Sequence, residues 1–140
     1  MSDVLLNVDG PHSGQNTVAV ADLFAQTVRV LNHATQTGSG LQEPAQVYWV
    51  LGNLAAGVGG LPQLLGQLEA FLLGLAGAGV LGEDATGPHR GDPQAALAHL
   101  GSWLTQASLA AGQLTGCLQR AQTATGGLHA TQPPDGGDRS

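Results

Sequence analysis

The chain contains no lysine and no isoleucine, and its four arginines, Arg29, Arg90, Arg120 and Arg139, are never neighbours. Ten acidic residues bring the net charge to −6. Local sequence therefore builds no basic patch that could follow a phosphate backbone, and nucleic acid is not an expected partner. The same deficit removes the attraction that an anionic membrane surface requires. The single cysteine, Cys117, has no intrachain disulfide partner, and no zinc-type spacing is present. A lone thiol fits a reducing compartment, and a cytoplasmic location is the expectation. The first residues, MSDVLLNVDGPHSGQN, carry no positive region ahead of an apolar stretch and do not read as a signal peptide.

Catalytic and metal-binding motifs are missing as well. There is no G-x-S-x-G elbow and no Walker A loop. A di-iron bundle needs Glu-x-x-His pairs, but Glu43, Glu69 and Glu83 have no histidine three residues on. Asp22, Glu69 and His99 come from three different helical patterns and are expected to face solvent. His12, His33, His89 and His129 are scattered, and the GPHRGD stretch around His89 reads as a surface loop. Ser102 and Ser108 have no base nearby in sequence, and Cys117 has only Arg120 three residues away. No catalytic residue, metal site or cofactor is expected, and the chain does not read as an enzyme.

Charged residues make up 10% of the chain, against about 25% in ordinary globular domains. What replaces them is Ala, Gly, Leu and Gln, with 42% hydrophobic residues over 140 positions, enough for one domain with a core. Apolar residues recur with helical spacing and nowhere with convincing strand alternation. Residues 1–15 read as a flexible leader and residues 126–140, rich in Gly and Pro, as a disordered tail.

Four helical patterns lie between them. The first runs from an expected N-cap at Asn16 to about Thr35, with Val20, Phe24, Thr27, Leu31 and Ala34 along one face. The second opens at Pro44 and carries Val47, Val50, Leu51, Leu54 and Val58, until Gly57, Gly59 and Gly60 are expected to break it. The third opens at Pro62, with a seam of Leu61, Leu65, Leu68, Leu72 and Leu75 widened by Leu64 and Phe71. The fourth has Asp92 as N-cap and Pro93 at its first position. Its Leu97, Leu100, Leu104, Ala107, Ala111, Leu114, Leu118 and Ala121 alternate by three and four, the period of left-handed helix packing. These patterns predict an all-α, up-down-up-down four-helix bundle over residues 16–125, with a long C-terminal helix and flexible termini. The last turns of that helix should overhang its neighbours, which makes Leu114 and Leu118 candidates for contact with a partner.

Two further surfaces stand out. Ala45, Trp49, Gly52 and Ala56 form a second face on the second helix, with a tryptophan suited to an interface. In the third helix Gly66, Ala70, Gly74, Gly77 and Ala78 make a small-residue ridge that either allows close helix contact or leaves a cavity. Glu69 and Glu83 bound thirteen uncharged residues, short of the roughly 20 that a bilayer crossing needs. No Lys or Arg flanks them, so a membrane span is not expected. Together these features predict a soluble, acidic, non-catalytic helical protein. It would self-associate through apolar second faces of its helices, as a homo-oligomer with a dimer favoured, or bind another protein. The alternative is a small bundle that holds an apolar ligand near the glycines of the third helix.

Overall fold

The computed structural model describes residues 3–132, so the last eight residues of the expected tail lie outside it. The described residues are helical, without strands. They form four segments: α1 (Gly14–Gln36), α2 (Pro44–Gly59), α3 (Leu61–Gly77) and α4 (Pro93–Thr125). The chain divides into two compact units, one up to Glu43 and one from Pro44 onward.

The first unit is α1 and the segment leading into it. Its N-cap is Ser13, three residues earlier than expected, whose hydroxyl accepts the Asn16 amide N–H at 3.1 Å. The Asn16 side chain is thereby free for another task. It accepts from the Leu5 N–H at 2.9 Å and donates to the Leu5 carbonyl at 3.0 Å, so one amide satisfies both backbone groups of an extended residue. No residue of α1 is buried. Within the expected stripe, Val20, Leu31 and Ala34 are half-buried while Phe24 and Thr27 are exposed.

In the second unit the chain does not turn at Gly57–Gly60. One non-helical residue, Gly60, separates α2 from α3, and its backbone stays in the right-handed helical region (φ −83°, ψ −13°). The Gly60 N–H reaches the Gly57 carbonyl and the Leu64 N–H reaches the Gly60 carbonyl. The result is a run of 34 residues, Pro44–Gly77. Pro62 is tolerated because it sits in the first turn of α3, where an absent N–H costs least. The two segments therefore behave as one long helix, and three helical runs, not four, are what the backbone builds.

This long run packs against α4 along its whole length. Tyr48 lies by Gly126, Gln122 by Gly52, Thr115 by Gly59 and Glu69 by Gly101, so the two run antiparallel. Since α4 has 33 residues against the 34 of the run, its last turns meet the first turns of α2 and do not overhang.

The packing line follows a three-four alternation straight through the α2–α3 junction. Tyr48, Leu51, Ala55, Val58, Pro62, Leu65, Glu69, Leu72 and Ala76 are all half-buried or buried. On α4 the line is Leu97, Leu100, Leu104, Ser108, Ala111, Thr115, Leu118, Gln122 and Thr125. It departs from the expected seam after Leu104: Ser108, Thr115 and Gln122 replace Ala107, Leu114 and Ala121. A straight helix has 3.6 residues per turn and drifts away from a strict seven-residue repeat. Threonine is acceptable inside because its hydroxyl bonds the preceding turn, as Thr115 does to the Ala111 carbonyl at 2.8 Å.

Both ends of the connection between the long helices are capped. The α3 terminus closes as a Schellman motif, with Val80 N–H on the Leu75 carbonyl, Gly79 N–H on the Ala76 carbonyl, and Gly79 left-handed at φ +74°. The start of α4 is capped by Asp92, whose carboxylate accepts the N–H groups of Gln94 and Ala95, each at 3.1 Å. Asp92→Ala is expected to cost about 1 kcal/mol, read as a lower urea midpoint with an unchanged slope.

Candidate interaction surface

The hairpin of α2–α3 and α4 has a thin core. Among the described residues only Ala55, Leu97 and Ala111 are buried, and two of the three are alanines. Large apolar side chains are instead left outside, and many of them share one side.

On the long run, positions one residue ahead of the packing line read Val47, Val50, Leu54, Gly57, Leu61, Leu64, Leu68, Phe71, Leu75 and Ala78. This is a second unbroken three-four stripe with no polar side chain. Leu64, Leu68 and Phe71 are exposed, Phe71 at 66%. On α4 the positions one ahead of the packing line are Ala96, His99, Trp103, Ala107, Ala110, Leu114, Cys117, Ala121 and Ala124, and the same spacing reaches Leu128 beyond the helix, so that His99 is the one polar side chain of this stripe. Trp103 is 65% exposed and Leu114 is exposed.

Each residue advances about 100° around a right-handed helix. A step of one residue back from the packing line therefore turns to one flank. The two helices run in opposite directions, so the same step carries both stripes to the same side of the hairpin. That side is an apolar face without Asp, Glu or Arg, and His99 is its one polar side chain. The opposite flank carries Ala45, Trp49, Gly52, Ala56, Gly59, Gln63, Gly66, Ala70, Leu73 and Gly77 on one helix, with Ala98, Gly101, Thr105, Leu109, Gly112, Gly116, Gln119 and Thr123 on the other. The first face carries most of the large apolar side chains, and the other is mostly small or polar, with Trp49, Leu73 and Leu109 exposed on it.

The expected site residues are divided between these surfaces. Ala45, Trp49 and Ala56 are exposed on the small-residue flank, while Gly52 turns inward, where the Gln122 amide occupies the space a side chain would need. Trp49 meets Tyr48 edge to face at 5.4 Å. Leu114 belongs to the apolar face and Leu118 to the packing line. Ala70 and Ala78 are exposed, and a methyl added at Gly66, Gly74 or Gly77 would have nothing within 4 Å. One surface depression lies at the start of α1, beside Leu5, Pro11 and Asn16, and another on α4 beside Gly116, Arg120 and Thr123; neither borders Gly74 or Gly77.

At the closed end of the hairpin the structure assembles a chain of polar groups that sequence spacing did not reveal. The Glu83 carboxylate accepts the backbone N–H groups of His89 (2.9 Å) and Gly91 (3.0 Å) on one oxygen. Its other oxygen meets His89 Nδ1 at 3.0 Å. His89 Nε2 lies 3.1 Å from His99 Nδ1, and Trp103 Nε1 donates to His99 Nε2 at 2.8 Å. Because an indole N–H only donates, the bonds take one direction: Trp103 to His99, His99 to His89, His89 to Glu83. In this arrangement each ring, when neutral, carries its proton on Nδ1.

Partial burial pushes the Glu83 carboxyl up. The hydrogen bonds from Gly91, from the His89 ring and from the His89 N–H, with the attraction of His89, outweigh that and hold it below its ordinary value of 4.5. Two successive left-handed residues, Arg90 (φ 56°) and Gly91 (φ 85°), bring the loop amides onto the carboxylate. Neither His99 nor His89 is thus a free surface side chain. The one sequence signal for the chain was the i, i+4 spacing of His99 and Trp103 on a single helix. Glu69, expected in solvent, is half-buried across Gly101, and Asp22 bonds Gln26 within α1. Among the described residues no three His, Cys, Asp or Glu side chains come together as a metal-holding group.

Fold and surface define an all-α protein whose C-terminal unit is an antiparallel helical hairpin with one apolar face. No family model, curated protein or solved structure matches the chain.

Proposed function

We propose that this is a non-catalytic helical interaction or structural protein that self-associates through apolar faces of its helices. The observation that carries the proposal is the exposed apolar face, two stripes on one side of a hairpin interrupted only by His99, with almost no core beneath them. Exposed apolar patches of this size mark interaction surfaces on folded proteins. The polar chain at the turn supports the non-catalytic part. Both ring nitrogens of His89 are engaged, and so are both of His99, so neither imidazole offers a free lone pair to a nucleophile. Two such hairpins, joined through their apolar faces, would make an all-helical four-helix bundle, here intermolecular.

Sedimentation equilibrium on the full chain tests this. The expected result is a mass above one chain that falls on dilution. A monomer at every concentration, with no protein partner recovered, would remove the proposal.

A further inference from the structure

Resting on that reading, we infer that the occupant of the apolar face is a second copy of the same hairpin, laid face to face about a two-fold axis. The small-residue flank then stays outside.

Size is the first reason. A run of 34 residues is about 50 Å long at 1.5 Å per residue, and two helices side by side are about 20 Å wide. The face therefore offers on the order of 1,000 Å² per copy and roughly 2,000 Å² for a pair, at the upper end of stable standard-size interfaces. A single docking helix would cover only the groove between the stripes and leave much of Phe71 and Trp103 in water.

Charge is the second reason. The protein carries −6 overall, yet neither stripe holds a charged residue, so two copies meet without like charges in contact. An unlike partner would gain nothing from the acidic groups, which lie off this face. Period is the third. The three-four alternation on both stripes is what a helix presents to other helices in a left-handed bundle. An isologous contact needs one patch to complement itself, and two stripes on one side, apolar except for His99, satisfy that.

A bilayer is the competing occupant, since the run Pro44–Gly77 is long and apolar enough to cross one. The geometry disfavours it. Across the packing line from that run lies α4, which carries Gln94, Gln106, Gln113, Gln119, Arg120 and Gln122. The hairpin could not enter hydrocarbon without them.

The full chain with Leu64→Glu and Leu68→Glu should separate the cases, because each glutamate would be buried without a partner in the pair but solvated in one copy. Association is expected to weaken about 100-fold or more, with helical circular dichroism retained. Trp49→Ala with Leu73→Glu, both on the opposite flank, should leave the pair intact. If the second variant dissociates the protein and the first does not, self-association stands and this face is wrong. A wild-type monomer overturns both readings. Co-sedimentation with neutral phosphatidylcholine vesicles in place of self-association overturns the pair in favour of lipid. Should the glutamate variant fail to fold, quenching by acrylamide decides with Trp49→Phe alone. Trp103 should be shielded in concentrated protein and exposed on dilution, and equal quenching at both concentrations overturns the pair.

Discussion

A variant carrying Gly66→Ala, Gly74→Ala, Gly112→Ala and Gly116→Ala is expected to be more stable than the natural sequence by about 2–4 kcal/mol. All four positions lie inside helices, Gly66 and Gly74 in α3 and the other two in α4. A methyl group added at any of them meets nothing within 4 Å. The gain comes from the unfolded chain: glycine has more backbone freedom to lose than alanine, about 0.5–1 kcal/mol per helical position. Since the substituted positions share no contacts, the increments should add. Urea unfolding with an unchanged slope is the measurement, and a midpoint equal to or below that of the natural chain would contradict the account. The variant also bears on the assembly. Three of the four methyls fall on the small-residue flank, so face-to-face pairing should be unaffected, whereas a contact built on close approach of that flank would be weakened. Gly79 is excluded because of its left-handed φ of +74°, and Gly101 because the Glu69 carboxylate would lie 2.6 Å from the new carbon.

Glu83→Gln is expected to leave the turn in place and yet break the bond between Trp103 and His99, three links away. Both loop amides are held by one oxygen of Glu83, and glutamine keeps that oxygen. Where the other oxygen stood, an NH₂ group now donates to His89 Nδ1. His89 must then carry its proton on Nε2 and donate to His99 Nδ1. His99 in turn carries its proton on Nε2 and faces the Trp103 N–H, donor against donor. Imidazole ¹⁵N shifts should report both tautomers reversed, and the indole N–H of Trp103 should move upfield, while the His89 and Gly91 amides stay protected from exchange. Retention of the Trp103 shift would mean that the chain does not transmit. Protonating either ring in the natural protein has a related effect, since an imidazolium donates from both nitrogens. Acid acts separately on the turn. Because the folded carboxyl of Glu83 titrates below its unfolded value of 4.5, its stabilisation is complete above that pH and is lost as pH falls through the lower, folded value. Protection of the His89 and Gly91 amides should disappear over that range.

The places where local pattern and structure agree are those where one residue's chemistry decides the outcome. Asp92 followed by Pro93 starts α4 as its side-chain oxygen and fixed φ require, and Gly126 ends it. Trp49 and Gly52 lie inside a helix, as their apolar surroundings indicate. At Gly57–Gly60 the two diverge. Three glycines carry a propensity penalty of roughly 3 kcal/mol, enough to break an isolated helix. Packing of Ala55, Val58, Pro62 and Leu65 on α4 overrides it, and that contact is between residues far apart in sequence. Glu83, His89 and His99 were illegible for the same reason, since only the left-handed turn at Arg90 and Gly91 folds the loop back onto the carboxylate.

Local pattern alone makes the chain helical, poor in charge, and supplied with more apolar stripes than its own packing line uses. Period and composition suffice for that, because both act within a few residues. Which stripe became the seam was settled by packing between helices far apart in sequence. Two adjacent three-four stripes on each long helix are nearly equal in hydrophobicity, and a rotation of about 100° exchanges them. The choice was made by fit. Gly52, Gly59 and Gly101 let the backbones approach beneath Gln122, Thr115 and Glu69. Leu64, Leu68, Phe71 and Trp103, one position off that line, were left facing outward.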